Sequence, residues 1–543
     1  MIDELEKDGV FLMTVQFINS EKAAELIPDN ATIALEGFLG SDVAEEILEN
    51  IRKRFDKEGH PKDLEVWHAS GIGDGKDKGT NNFAAKGLLK RLVGGHWALA
   101  PQLEPLVANN DFEAYNFPQG VMSQIFRDSA AHKPIQISRV GLGTFVDPDI
   151  EGGKLNDAAK KTDLVSKMKI KGEDYLAYDV PKPNVAILRG TYADEDGNIT
   201  FDDEPLTLES TSIAMAAHNN GGKVFVQVKR ILKKGSMKPK DIRIPGLLVD
   251  YVVETSNELM TRQSTDTQFN PDYVNQAVVK AAGAINVPLD AKKVIARRAA
   301  MYKNENDNIV NYGIGKYPET VSLILKEEGA AENVTTTVEP GTFGGVPMGG
   351  GDFGCAISPE STIDQPYMFD FYDGGGIDIT FLGLAELDKL GNINVSKFGP
   401  KIAGTGGFVN ITQNTPTVVF TGTFTAGGLK EEVKDGKLNI LQEGKFNKLV
   451  ENVEQITFSG PVSHENKQNV YYITERAVFQ LVDGGIELIE IAPGMDLQKD
   501  ILDHMDFKPE ISDDLRYMDP RIFEEPLMGN VTNQPGEKVA LTV

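Results

Sequence analysis

An order of helix cap, helix, polar turn, apolar strand and glycine loop occurs twice in the chain, and this duplication limits the possible folds more than any other feature. The first copy is "NSEKAAELIPDNATIALEGFLG" (19–40), where Ser20 is the expected N-cap. The second is "LDAKKVIARRAAMYKNENDNIVNYGIG" (289–315), where Asp290 stands in the capping position. Each glycine loop leads into a segment of helical spacing, "SDVAEEILENIRKRF" or "YPETVSLILKEEG", and then into another strand. Strands alternating with helices predict an α/β protein of two similar doubly wound halves with largely parallel sheets, fused in one chain.

The next strands align by their glycines. "DLEVWHASGIGDG" (63–75) lies against "NVTTTVEPGTFGG" (333–345) with Gly71 opposite Gly341, which sets Glu339 opposite Ala69. "DGNITF" (196–201) likewise matches "LGNINV" (390–395), each a strand entered through a Gly-Asn turn. Between the copies, "ETSNELMTRQSTDTQFNPDY" (254–273) is polar and lacks apolar periodicity, as a linker does. The expected organisation is an N-terminal half over 14–256, a linker over 257–287 and a C-terminal half over 288–543. A chain of 543 residues with 40% hydrophobic content has ample material for two cores.

Parallel sheets bind ligands beyond the carboxyl ends of their strands, and Glu339 stands at such an end. The competing account is a solvent-facing glutamate in a Pro-Gly turn. Gly341, Gly344, Gly345, Gly349, Gly350 and Gly351 follow. They are expected to strip one wall of side chains and leave N–H donors open to a substrate. Two apparent nucleotide motifs fail on context. "GGGDFG" (349–354) has the dinucleotide spacing but follows "FGGVPM" instead of an apolar strand and precedes a proline. "GIGDGKDKG" (71–79) puts Asp77 where a phosphate loop needs Ser or Thr.

Charge narrows the function classes. The chain has 55 Lys plus Arg against 81 Asp plus Glu, a net charge of −26, which disfavours nucleic acid and anionic membrane surfaces as partners. A single cysteine, Cys355, excludes an intrachain disulfide, and no His/Cys cluster at ligand spacing points to a metal. No apolar run approaches the roughly 18 residues that span a bilayer. The opening "MIDELEKDGVFLM" is too acidic for a secretory leader, so a cytoplasmic location is expected.

Six separated blocks resemble the family I coenzyme A transferases, in particular the acetate and propionate CoA-transferase branch. They are "GGHWALAPQL" (94–103), "EAYNFPQGVMSQIFRDSAAHKP" (113–134), "IPGLLVDYVV" (244–253), "VEPGTFGGVP" (338–347), "FDFYDGGGIDITFLGLAELDKLGNINVSKFG" (369–399) and "AGTGGFVNIT" (403–412). The resemblance implies CoA transfer from a short-chain acyl-CoA to a small carboxylic acid such as acetate. It implies no prosthetic group, no metal, and a homodimer or homotetramer. A glutamate of the second half becomes acylated and then thioesterified to CoA in that family, and Glu339 matches it. The implied oxyanion donors are the Gln119 side-chain amide and the Gly406 N–H, with Gly406 and Gly407 also contacting CoA. Many relatives have "ESG" or "ENG" where this chain has Glu339-Pro340-Gly341, and the proline removes an N–H there. The segment before Met13 has no clear family counterpart.

Alternatives stay open at several positions. Gln119 also suits a turn residue satisfied by its own backbone, and Gly406 a tight turn. The basic stretch "KVFVQVKRILKKGSMKPKDIR" (223–243) suits either the CoA phosphates or a solvated edge strand protected by lysines. Phe343, Met348 and Tyr367 suit either an acyl pocket or the core. His68 and His96 are expected to be packed or turn residues, because a carboxylate nucleophile of ordinary pKa needs no base. Cys355 is expected to be a buried structural thiol. Acyl-CoA hydrolysis at the same glutamate and non-catalytic CoA binding are the competing functions.

Overall fold

The structure is a computed structural model that describes residues 15–275 and 285–540. The first twelve residues and part of the expected linker lie outside the described residues.

The central strands of both sheets carry apolar residues at successive positions, which suits strands covered on both faces. Val66, Leu92 and Ala114 join one core cluster, while their neighbours Trp67, Val93 and Tyr115 join the other. One run of sequence therefore builds two cores, one on each side of the sheet. The first sheet runs in space Gln16–Ile18, Tyr251–Glu254, Lys223–Leu232, Val185–Asp194, Thr32–Leu35, Leu64–His68, Leu89–Gly94, Glu113–Asn116. Every pair along this path is parallel. After the edge strand Gln16–Ile18 the chain enters the middle of the sheet at Thr32–Leu35, winds outward to Glu113–Asn116 and returns to Val185–Asp194 to wind the other way, so strand order reverses between Thr32–Leu35 and Val185–Asp194.

The second sheet repeats that plan. Asn469–Ile473, Thr417–Thr421, Ile379–Gly383, Ile309–Tyr312 and Thr335–Val338 lie side by side and parallel, in the order of their counterparts in the first half. Antiparallel strands extend it at both edges, Thr342–Phe343 beyond one end and Ala477–Val482 beyond the other. The Gly-Asn turns also correspond, with Gly197 at φ 81° and Gly391 at φ 80°.

Local readings fare unevenly. Asp290 caps the helix Ala291–Ala300 by accepting the Lys293 N–H at 3.0 Å. At the first copy the cap is Asn19, which accepts from the Lys22 N–H. Ser20 is instead the first helical residue, and its hydroxyl donates to Glu46 at 2.9 Å. The basic stretch is not an edge strand, because Lys223–Leu232 lies between two parallel neighbours. Its "VFVQV" centre is buried, and its cations sit at the ends, where Lys223, Lys229, Arg230 and Lys234 pair with Asp250, Asp203, Glu258 and Asp196.

Residues 257–275 form a strap along the protein. The Ser41 hydroxyl donates to Gln263 O at 2.6 Å, and the Thr265 N–H donates to Gly351 O at 3.1 Å, so this strap touches both halves. The halves also meet through the helices Gln119–Ala130 and Gln365–Asp373. Gln124 donates to Asp370 and Asp373 at 3.1 Å each, and Arg127 pairs with Asp370 at 2.7 Å. Gly120 permits that approach, since a β-carbon there would lie 2.3 Å from the Asn410 amide nitrogen. No helix among the described residues is long and apolar enough to cross a membrane, and none of their acidic, His or Cys side chains form a metal-binding group.

Candidate active site

Thr335–Val338 delivers Glu339 to the seam between the halves. The strand ends at Val338, and the Gly341 N–H closes the turn onto Val338 O at 3.0 Å. Only glycine fits at 341: φ is +125°, and a β-carbon would lie 2.0 Å from Ile363 O. Glu339 is 8% exposed, and its Oε2 is buried without a hydrogen-bond partner among the described residues. Burial, partly offset by its own backbone N–H, pushes the carboxyl up to about 7. This corrects the expectation of an ordinary, fully ionised carboxylate at neutral pH.

The turn 404–407 faces this carboxylate. A β-carbon on Gly407 would lie 2.8 Å from Glu339 Cγ, so glycine is required for the two to meet. A β-carbon on Gly406 would lie 3.6 Å from Gln119 Oε1. Glu339 and Gln119 thus flank consecutive residues of one turn, brought from opposite halves of the chain. Gln119 is the first residue of Gln119–Ala130, is 3% exposed, and donates from Nε2 to Gln365 Oε1 at 3.1 Å. Its side chain is not satisfied by its own backbone. The backbone donor expected at Gly406 is already engaged, since that N–H bonds Gly95 O at 2.8 Å. The next N–H, on Gly407, makes no hydrogen bond with the described residues.

Of the glycines after Glu339, Gly341, Gly344, Gly345 and Gly351 face the protein's own chain and not an open wall, whereas Gly349 and Gly350 are exposed. β-Carbons on Gly344 and Gly345 would collide with the Glu360 side chain and Ile357 O, at 2.5 Å each. The N–H groups of Gly341, Gly344 and Gly351 are donated within the protein. These glycines let the chain fold back on itself behind Glu339. Phe343 packs edge-on to Phe371 at 5.4 Å, and Tyr367 lies exposed beneath the Arg127 guanidinium at 5.6 Å.

Burial pushes the imidazoles of His68 and His96 down to about 4, so both are neutral and weakly basic at neutral pH. His68 is fixed by a 2.6 Å contact from Nδ1 to Ser70 O, and His96 packs at Gly71, where a β-carbon would lie 2.7 Å from its Nδ1. Cys355 is buried, and desolvation pushes its thiol up to about 12, which leaves it unreactive.

Comparison with known proteins identifies what this seam belongs to. A coenzyme A transferase family model matches residues 17–255. The caffeate CoA-transferase of Acetobacterium woodii is 44% identical, covering 94% of this chain and 98% of that protein. The chain belongs to the coenzyme A transferase family. The acetate CoA-transferase YdiF of Escherichia coli K12 is 41% identical, over 95% of this chain and 97% of its own. The crystal structure of the acyl-CoA transferase YdiF apoenzyme from E. coli O157:H7 superposes with a TM-score of 0.89 at 40% identity, over 96% of this chain and 98% of that one. The transferase therefore shares its fold over nearly its whole length with a solved relative.

A raised carboxyl pKa has a thermodynamic consequence in the transferase. The folded state holds the Glu339 proton more tightly than the unfolded state does, so the site costs nothing below the unfolded value of about 4.5. Stability is lost as pH rises towards 7, and the cost is complete above it. Glu339→Gln removes the ionisation and is expected to be more stable than wild type by about 3 kcal/mol near pH 8, but by less than about 1 kcal/mol near pH 5. Thermal midpoints measured at both pH values check this. Equal midpoints at pH 8 would show that burial of this carboxylate is not destabilising.

Proposed function

We propose that Glu339 is the covalent nucleophile of a ping-pong transfer of CoA from a short-chain acyl-CoA to a free carboxylate such as acetate. The reading rests on one observation above the rest: a buried carboxylate with an unpartnered oxygen stands at a strand end, opposite a glycine turn and a side-chain amide from the other half. A relative adds support, since YdiF of E. coli O157:H7 has also been solved as a thioester complex with CoA.

The ionised carboxylate attacks the thioester carbonyl, forming a C–O bond and breaking the C–S bond. This gives a mixed anhydride and CoA thiolate. The thiolate then attacks the glutamyl carbonyl, forming a glutamyl-CoA thioester and expelling the donor acid as its carboxylate. An incoming carboxylate reverses both steps and leaves as the new acyl-CoA, with Glu339 regenerated. Thioester energy is retained throughout, so no ATP enters. Each step passes through a tetrahedral oxyanion, to which this reading assigns two donors. One is the Gln119 N–H that is not used on Gln365. The other is the Gly407 N–H, one residue beyond the position inferred from sequence. The same turn, Gly406 and Gly407, borders the path of the CoA sulfur.

Because the carboxylate must be ionised to attack, kcat/KM is expected to rise with pH through about 7 and then level. Double-reciprocal plots with acetate as the second substrate are expected to be parallel, and labelled donor acid to exchange into acyl-CoA without acceptor. Intersecting lines with no exchange would exclude a covalent intermediate. Formation of acetyl-CoA, without matching release of free thiol, separates transfer from hydrolysis. Hydrolysis gains no support from the relatives, which are transferases.

A further inference from the structure

The duplication extends into the active site. Gln365 occupies in the second half the place that Gln119 occupies in the first: each is the first residue of a helix at the seam. The Gln119 N–H donates to Gly406 O at 2.9 Å, and the Gln365 N–H donates to Leu208 O at 2.8 Å. Both acceptor residues have positive φ, +52° at Gly406 and +40° at Leu208, and each precedes the N-cap of a helix, Gly407 or Glu209. The two halves thus brace each other by one reciprocal motif. The side chains break the symmetry. Around Gln119 the strand end supplies Glu339 and the cap is glycine. Around Gln365 the strand end supplies Ala69 and the cap supplies the carboxyl, Glu209.

That inversion gives Gln365 a full set of partners. Its Oε1 accepts from Gln119 Nε2 at 3.1 Å and from the Ser70 hydroxyl at 3.2 Å, and its Nε2 donates to Glu209 Oε2 at 3.0 Å. With two donors on its oxygen and an acceptor at its nitrogen, the amide has one satisfactory orientation. Gln365 is fully buried, so water cannot substitute for these partners. A carbonyl oxygen presented to Gln119 in turn admits only the nitrogen end of that amide. The other N–H of Gln119 then has no partner among the described residues, while its Oε1 lies beside Gly406.

We propose that Gln365 is a positioning residue, which acts through Gln119 by fixing the orientation of its amide, so that Nε2 keeps one N–H free to donate. The inference rests on the reading of Gln119 as an oxyanion donor given above. Without the Gln365 carbonyl, the Gln119 amide is free to turn its oxygen to the developing oxyanion, which repels instead of stabilising.

Four variants test this: Gln365→Met, Gln365→Glu, Gln119→Ala and the Gln119→Ala/Gln365→Met double. Gln365→Met, of similar length but without an acceptor, is expected to lower kcat roughly 30-fold, with KM for acyl-CoA within about threefold. The double variant is expected to be no slower than Gln119→Ala alone, because an absent amide has no orientation to lose. Gln365→Glu keeps an acceptor towards Gln119 and Ser70. Burial pushes the Glu209 carboxyl up to about 8, so Glu209 carries a proton that it can donate to the new carboxylate. This variant is therefore expected to retain kcat within about fivefold.

Wild-type kcat in Gln365→Met, or losses that multiply in the double variant, would overturn the positioning role. Wild-type kcat in Gln119→Ala would instead overturn the donor reading on which it rests. If Gln365→Met does not fold, Ser70→Ala carries the same test, since it removes one of the two donors on the Gln365 oxygen. It is expected to lower kcat roughly threefold in the wild-type background and not at all beside Gln119→Ala. An equal loss in both backgrounds would contradict the proposal.

Discussion

Glu339→Ala is expected to lower turnover by roughly 10⁴-fold or more, the scale seen when the nucleophile of a covalent mechanism is removed from an otherwise intact site. Glu339→Gln is expected to do the same, because a neutral amide is a poor nucleophile and this one has nearly the shape of the carboxylic acid it replaces. Neither substitution should prevent folding. Glu339 Oε2 has no partner to lose among the described residues, and Ala69 holds the matching position at the end of Leu64–His68 without a carboxylate. Steady-state rates with acyl-CoA and acetate, alongside circular dichroism of each variant, check both parts. An alanine variant that turns over within tenfold of wild type would move the chemistry elsewhere, and one that fails to fold would make Glu339 a structural residue.

Gln119→Ala is expected to lower kcat by on the order of 10² to 10³, the cost of one missing oxyanion donor, with a smaller change in KM. The effect is confined to turnover because the Gln119 backbone, which bonds Gly406 O, is retained. The truncated side chain leaves the Gln365 oxygen with Ser70 as its remaining donor, a loss of about one neutral hydrogen bond to stability. Single-turnover rates separate the chemical step from product release. A kcat unchanged by the substitution would reduce Gln119 to a helix-start residue that braces the seam.

The fold was legible because duplication and strand composition are periodic signals. "NATIALEGFLG" and "NDNIVNYGIG" carry the same strand and loop, and the register set by Gly71 and Gly341 places Ala69 and Glu339 directly after their strands, as the structure has them. Caps and edges were less legible. Asn19 and Ser20 both suit an N-cap, and only backbone geometry chooses Asn19. Lysines around "KVFVQVKRIL" imitate an edge strand, although the charges gather at the ends of a central one.

At the site, the carboxylate was found from its place at a strand end, but its environment was not. The pKa of Glu339 depends on how many groups bury it, which no local spacing records. Its glycines looked like an open wall because sequence cannot tell a glycine that faces ligand from one that faces Ile363 O. The Gly406 N–H is taken by the carbonyl of Gly95, some 300 residues away in sequence, a pairing that no local motif records. Gln365 was missed, yet a signal existed: "FPQGVM" and "IDQPYM" match as starts of equivalent helices once the repeat is extended past the strands.

The most direct test is intact-protein mass spectrometry after incubation with acyl-CoA and no acceptor acid, followed by peptide mapping. The displaced thiolate remains beside the anhydride, so the enzyme is expected to gain the mass of CoA less one water, as a thioester on Glu339. Hydroxylamine should release the adduct, and Glu339→Gln should not form it. An adduct mapped to Cys355 or another residue, an adduct that persists in the glutamine variant, or no adduct in an enzyme that turns over normally would each contradict a glutamyl-CoA intermediate at Glu339.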